Sequence, residues 1–258
     1  MKPNVAVVEI SKTYGKTQAL NGLSFEVEPG CIYGLIGPNG AGKTTSLAIL
    51  AGLIQPTSGV VWILGRQIRP GSRELASSIG FSSPQFPLFD YLSGIEMLSA
   101  CGLMHGLAAP EVKNRMTDLL ELMDLGSAAK EYISLYSQGM KQKISLACAL
   151  IHAPEIVLLD EPFLGLDPTA IYRLLCLFRQ MAARGRTLIM TSHNMALVER
   201  LCNRVGILFK GVLQREIAIV SANDDSSAIF SATKPVSQLE SALWEVVGEP
   251  ESKELSWI

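Results

Sequence analysis

The chain has no run of basic residues. Its 22 lysines and arginines are set against 24 aspartates and glutamates, leaving a net charge of −2. Nucleic acid is therefore not expected as the main partner, because phosphate backbones are gripped by clustered Lys and Arg. C-x-x-C spacing is also missing. The five cysteines, Cys31, Cys101, Cys148, Cys176 and Cys202, are scattered and sit mostly in apolar stretches, so they read as reduced, buried side chains. No apolar run is long enough to span a bilayer. The longest, around Leu98–Pro110 and Ile144–Ile151, fall short of the roughly 20 residues a membrane helix needs. Val5–Val8 is too short for the apolar core of a secretory signal, and Glu9 ends it, so none is expected. No long-range repeat occurs, which implies one unit, not two in tandem. Even so, hydrophobic residues make up 48% of the 258, and mean hydropathy is positive. That leaves apolar surface for a partner to cover.

What the chain does have is the run Gly37-Pro38-Asn39-Gly40-Ala41-Gly42-Lys43-Thr44. It fits G-x-x-x-x-G-K-[ST] at every fixed position. Apolar Ile32–Ile36 precedes it and reads as a short buried strand; Thr45–Leu50 follows and reads as helix. In that setting loop N–H groups and a helix N-terminus converge on one anion. The pattern implies a bound nucleoside triphosphate, with Lys43 on the β/γ-phosphates and the Thr44 hydroxyl on Mg²⁺.

The surrounding pattern implies an α/β fold. Val5–Ile10, Leu23–Val27 and Val60–Leu64 read as strands of a small antiparallel sheet, the first pair joined through Tyr14-Gly15 and the third entered by the turn Pro56–Gly59. From Tyr91 to Leu150 the pattern is helical; Val112, Met116, Leu119, Leu120 and Met123 keep near-3.6 spacing, with Gly126 as the stop. Ile156–Leu159, Thr187–Met190 and Val205–Leu208 return to β, with a crossover helix over Ile171–Arg184. Continuously apolar strands alternating with helices imply a mostly parallel sheet covered on both faces. Ser221–Ser227 reads as a polar loop. Ser237 and Glu240 form a capping box ahead of a short C-terminal helix bearing Leu239, Ala242, Leu243, Val246 and Val247.

Asp160-Glu161 close the strand Ile156–Leu159. A carboxylate at the tip of a buried strand beside a phosphate loop is placed to hold Mg²⁺ through water, and Glu161 to polarise an attacking water. With Ser137-Gln138-Gly139-Met140-Lys141-Gln142-Lys143, Asp160-Glu161-Pro162, Gly165-Leu166-Asp167-Pro168 and Thr191-Ser192-His193 added in this order, the chain resembles the ATP-binding cassette family from about Val5 to Lys210.

The resemblance implies a P-loop ATPase core with a mostly parallel sheet, an N-terminal antiparallel β subdomain and an inserted helical subdomain. The nucleotide-binding domain is expected over residues 1–220, its helical part over about 88–150, and a short helical extension over 221–258. It implies ATP and Mg²⁺ as cofactors and a head-to-tail dimer with a second copy or a related cassette. Gly37, Pro38, Asn39, Gly40, Ala41, Gly42, Lys43, Thr44 and Thr45 would contact nucleotide, and Tyr14 would stack on adenine. Thr44, Gln85 and Asp160 would serve Mg²⁺. Glu161, His193 and Gln85 would act on the attacking water. Ser137 and Gly139 would meet the partner's γ-phosphate, and Asp167 would shape the partner site. Ser137 also reads as a plain helix N-cap, and both roles use one geometry.

The signature departs from the usual Leu-Ser-Gly-Gly-Gln, reading Tyr136, Ser137, Gln138, Gly139, Met140. This variant looks like that of cassettes serving separate export permeases. The implied activity is ATP hydrolysis powering transport, with export favoured, through an integral-membrane permease at the cytoplasmic face of the membrane. The permease would dock near Gln85–Gly106, which includes Phe86, Leu88, Phe89 and Tyr91. Phe163 and Leu164 replace small or polar residues. Cassettes that act on ribosomes or chromosomes are disfavoured, for the chain has no second cassette, long coiled coil or basic tail. A regulatory cassette with weakened hydrolysis is disfavoured by the filled catalytic positions.

Overall fold

The computed structural model describes residues 2–69, 73–85, 87–219 and 238–248. Phe86, the Ser221–Ser227 loop and Ser237 of the expected capping box lie outside the described residues. Two sheets form the frame. The first is antiparallel, with order β2-β1-β4-β5, from β1 (Val5–Tyr14), β2 (Thr17–Val27), β4 (Ser58–Ile63) and β5 (Arg66–Gln67). The first hairpin is longer than its apolar residues announce. Polar positions carry on the pairing, Lys12 opposite Leu20, Thr13 opposite Gln18 and Tyr14 opposite Thr17.

The second sheet has order β10-β9-β3-β8-β7-β6. Its strands are β3 (Ile32–Ile36), β6 (Ile79–Ser82), β7 (Ile156–Asp160), β8 (Thr187–Thr191), β9 (Arg204–Phe209) and β10 (Val212–Ala218). All pair in parallel except β10, which runs antiparallel to β9. Every residue of β3, β7 and β8 is buried, which is why these strands read as unbroken apolar runs. Successive side chains serve opposite faces. Tyr33, Leu35, Ile156, Leu158 and Ile189 pack toward the first sheet, together with Leu47 of α1 (Lys43–Leu50). Ile32, Ile36, Val157, Leu159, Leu188 and Met190 pack into the core that takes in the helices. At the N-terminal end of β8 a polar staple joins the sheets: Asn4 Nδ2 donates to Thr187 Oγ1 at 3.0 Å, and that hydroxyl donates to the Glu28 carbonyl at 3.1 Å.

A short helix, α2 (Arg73–Ala76), precedes β6. The helical insertion is α3 (Gly94–Met104), α4 (Ala109–Leu122), a 3₁₀ turn (Ile133–Leu135) and α5 (Gln138–Leu150). Ser93 and Glu96 cap α3 reciprocally, the Glu96 carboxylate accepting from the Ser93 N–H at 2.8 Å. The end of α4 corrects the sequence expectation. The helix stops at Leu122, and Asp124, not Gly126, adopts the left-handed conformation (φ 54°); Asp tolerates that region better than most residues. α6 (Pro168–Ala183) crosses from β7 to β8, and α7 (Met195–Leu201) from β8 to β9. α8 (Gln238–Val247) lies against β9 and α7, burying Leu239, Ala242 and Leu243. Among the described residues no helix is long and apolar enough to cross a membrane.

Where α3 and α5 end, the rings of His105 and His152 stack in parallel at 3.7 Å. His152 Nε2 sits 3.1 Å from the Ile79 carbonyl, while its buried Nδ1 has no hydrogen-bond partner among the described residues. Burial pushes His152 down to about 4, aided by the charges of His105 and Arg115, and burial lowers His105 too. The unfolded chain takes up this proton near the ordinary value of about 6.5, whereas the fold resists it until about 4. The stabilising effect is therefore complete above the ordinary value and is lost as pH falls through the lower one. Urea midpoints are expected to decline from about pH 6.5 down to about pH 4, and His152→Gln is expected to flatten that decline.

Candidate active site

The parallel register brings the C-terminal ends of β3, β7 and β8 level: Leu35 is opposite Thr191, and Thr191 opposite Asp160. This is the edge at which open α/β sheets bind ligands. The loop from Gly37 to Gly42 leaves β3 here and enters α1. Gly42 is the N-cap of α1, with φ 108° and no side-chain cap. A Cβ on Gly42 would lie 2.6 Å from the Ala19 carbonyl oxygen, so only glycine fits between loop and β2. With no side chain capping it, the first turn of α1 presents its N–H groups to an anion. Lys43 is buried, and its Nζ donates to the carbonyls of Gly37 at 2.8 Å and Pro38 at 3.1 Å. Burial holds this ammonium below its ordinary value, while Glu161 and Asp160 pull the other way.

Asp160, buried at the tip of β7, collects three hydroxyls. Thr191 Oγ1 donates to Oδ1 at 2.6 Å; Thr44 Oγ1 and Ser83 Oγ donate to Oδ2 at 2.9 and 3.3 Å. Glu161 follows with φ 48°. Its N–H lies 3.1 Å from Thr191 Oγ1 and 3.2 Å from the Thr191 carbonyl. Its carboxylate Oε2 sits 2.9 Å from His193 Nδ1, and the His193 N–H points at the same oxygen at 3.4 Å. The His193 side chain is 68% exposed against 21% for Glu161, so the pair stands at the mouth of the site with the carboxylate innermost.

Around these groups lies a cavity of about 500 Å³, lined by Tyr14, residues 39–45 of the loop and the first turn of α1, Gln85, Asp160 and Glu161 among others. The half-exposed Tyr14 ring is flanked by Lys12 Nζ, 5.1 Å from its centroid. Of the expected residues, Gly37 and Pro38 belong through their carbonyls on Lys43, and His193 through Glu161. Ser137, Gly139 and Asp167 are not among the residues lining this cavity. Ser137 caps α5, accepting from the Met140 N–H at 3.2 Å, and Asp167 caps α6, accepting from the Ala170 N–H at 2.9 Å. Asp167 also pairs with Lys143 at 3.4 Å.

The donor set fits a metal-bound polyphosphate. The Thr44 hydroxyl, Asp160 carboxylate and Gln85 amide are the hard oxygen ligands Mg²⁺ prefers, and they stand beside a buried ammonium and an uncapped helix N-terminus. Sequence reasoning missed Ser83 and Thr191 as parts of the site. Both lie in motifs it did single out, Ser83-Pro84-Gln85 and Thr191-Ser192-His193. Phe163 proves to be buried, its ring tilted against Phe178 at 6.2 Å, whereas Leu164 is exposed.

A family model described as "ABC transporter" matches residues 20–164. The linearmycin resistance ATP-binding protein LnrL of Bacillus subtilis is 38% identical over 224 residues, 87% of this chain and 71% of that protein. The Nod factor export ATP-binding protein I of Paraburkholderia xenovorans is 38% identical over 204 residues, 79% of this chain and 67% of that protein. Relative to such curated proteins the chain spans 59% to 71% of their own length. Among solved structures, an ATP-binding subunit of an ABC transporter superposes with a TM-score of 0.78 at 31% identity, over 83% of this chain and 90% of that one. A dimeric ATP-binding cassette in a post-hydrolysis state, bound to ADP and phosphate, also gives 0.78, at 25% identity over 84% and 100% of the two chains.

Thr191→Val is nearly isosteric but leaves a buried carboxylate one donor short. It is expected to destabilise the fold by about 1–3 kcal/mol, read as a lower urea midpoint at unchanged slope. An unchanged midpoint would show that Asp160 does not depend on that hydroxyl.

Proposed function

The chain belongs to the ABC transporter family as an ATP-binding cassette, and from that premise we propose that it hydrolyses ATP to drive export through a separate membrane permease, by closing and reopening a head-to-tail dimer. The observation that carries this reading is one cavity in which the phosphate-binding loop, Asp160 and Glu161 meet, with His193 held on the Glu161 carboxylate.

In this reading Lys43, the loop N–H groups and the N-terminus of α1 hold the β- and γ-phosphates, and Tyr14 stacks on the base. Thr44 and Asp160, with Gln85, hold Mg²⁺, which when bound supplies charge neutralisation on the phosphates. Hydrolysis then needs little more than an aligned water and a stabilised phosphoryl group. Glu161 aims and polarises that water, and His193 fixes the carboxylate through the 2.9 Å contact. Ser137, Gly139 and Asp167 stand at helix N-termini apart from the chain's own cavity, which suits groups that complete a partner's site. There the positive end of α5 faces the partner's γ-phosphate.

Two relatives carry export or resistance in their names, which supports the outward direction. Docking of the permease falls near Gln85–Gly106. Phe89 and Tyr91 are 47% and 72% exposed there, with ring centroids 5.7 Å apart, while Leu88 is packed against the core. The cassette would then work at the cytoplasmic face of the membrane, with residues 1–220 as the nucleotide-binding domain and 221–258 as its extension.

Glu161→Gln keeps the shape of the side chain and removes its charge. Phosphate release is expected to drop at least about 100-fold, while ATP still drives dimerisation; purified in gentle detergent from native cells with ATP, the variant should bring a multi-spanning membrane protein in stoichiometric amount. Unchanged turnover would remove Glu161 from its role, and a chain that stays without a membrane partner would remove transport. Lys43→Ala is expected to weaken ATP binding about tenfold or more, by loss of a charge-assisted contact; titration with fluorescent ATP showing normal affinity would contradict the loop assignment.

A further inference from the structure

The first turns of α5 are fastened to the segment between Asp160 and Asp167 of the same chain at three points. Gly139 packs so closely on the Gly165 carbonyl that a Cβ would lie 2.6 Å from its oxygen. Gln142, buried to 3% exposure, points its Nε2 at the carbonyls of Pro162 (3.3 Å) and Glu161 (3.5 Å). Lys143, also buried, reaches Asp167 Oδ2 at 3.4 Å.

Glu161 holds a left-handed backbone conformation, φ 48°, which a non-glycine residue keeps only when its surroundings fix it. Those surroundings act from both sides, and the Leu164 N–H also donates to the Glu161 carbonyl at 3.2 Å. Thr191 takes the Glu161 N–H from one side, and Gln142 takes the Glu161 and Pro162 carbonyls from the other. Together they set the direction in which the Glu161 carboxylate leaves the backbone toward His193. The helix that carries Gln142 also begins at Ser137 and Gly139.

We propose that Gln142 is a positioning residue for Glu161 of its own chain, so that docking of Ser137 and Gly139 on the partner's ATP is transmitted through α5 to the aim of the water-activating carboxylate. Each ATP then licenses hydrolysis of the other. This rests on the dimeric ATPase reading above and adds to it a route through one amide side chain. Buried amides take part in such networks because an unmet carbonyl or N–H is costly in a low-dielectric interior. A tilt of α5 is therefore felt at Glu161 instead of being absorbed.

The test compares Gln142→Met, which keeps volume and removes the donor, with the unsubstituted full chain. We expect kcat for ATP to fall about tenfold or more while the KM and the directly measured Kd for ATP change less than about twofold, the signature of a lost transition-state interaction. The Hill coefficient for ATP hydrolysis, expected above 1 in the unsubstituted chain, should fall toward 1. Added to Glu161→Gln, the substitution should cause no further loss, since it acts through that carboxylate. Loss of kcat in step with ATP affinity and melting temperature would reduce Gln142 to a structural bond and overturn the proposal. So would an unchanged kcat or Hill coefficient. Should Gln142→Met not fold, Gln142→Asn keeps the amide and shortens its reach; a loss of about threefold or more in kcat is expected, and wild-type kcat overturns the proposal. If Glu161→Gln itself leaves turnover intact, the assignment of Glu161 to the attacking water fails instead, and the two failures are told apart by that single control.

Discussion

The site depends on how one buried carboxylate is satisfied. Asp160 ends a strand whose every residue is hidden from solvent, and a carboxylate there is tolerable only with donors around it. Its three hydroxyl partners come from three separate places, the first turn of α1, the segment after β6 and the end of β8. In satisfying Asp160 the chain is obliged to bring the phosphate-binding loop, the Gln85 segment and the Thr191–His193 segment to one point. The geometry that serves the carboxylate and the geometry that serves the nucleotide are the same.

Much of this was legible in the residues. The phosphate loop could be read because its glycines and Lys-Thr pair are fixed by backbone geometry and charge, which leave little choice of residue. β3, β7 and β8 could be read because burial on both faces forces continuous apolar runs. β6, with only Ile79 and Phe81 as large apolar residues, and β10, an edge strand bearing Gln214, Arg215 and Glu216, carry no such mark. α7 is too short for a periodic stripe. The stop of α4 fell at Asp124 because an Asp can take the left-handed turn that Gly126 was expected to supply. Gln142 lies within the Ser137–Lys143 run, yet nothing there marks its role: a glutamine that clamps a backbone is indistinguishable in sequence from one that faces water.

The high apolar content has two destinations. Most of it fills the two cores on either side of the second sheet. The remainder is unevenly spread. Phe89, Tyr91, Tyr132 and Leu135 are exposed, and the backbone bonds Ile133 N–H to Leu92 and Ser134 N–H to Asp90 tie their two segments together. Apolar surface gathered on neighbouring segments at the mouth of the helical insertion differs from apolar residues scattered singly, which need no explanation.

β8 has a further property. It is five residues long, with a threonine at each end on the same face of the sheet. The hydroxyl of Thr187 staples the two sheets through Asn4 and Glu28; that of Thr191 holds Asp160. At about 3.3 Å per residue these anchors are roughly 13 Å apart, and the strand between them behaves as a gauge of fixed length. A slip by one residue would turn both hydroxyls to the wrong face, and a slip by two would carry both away from their partners. The registration of the site's groups is thus secured from the opposite end of the strand, by a threonine that touches none of them.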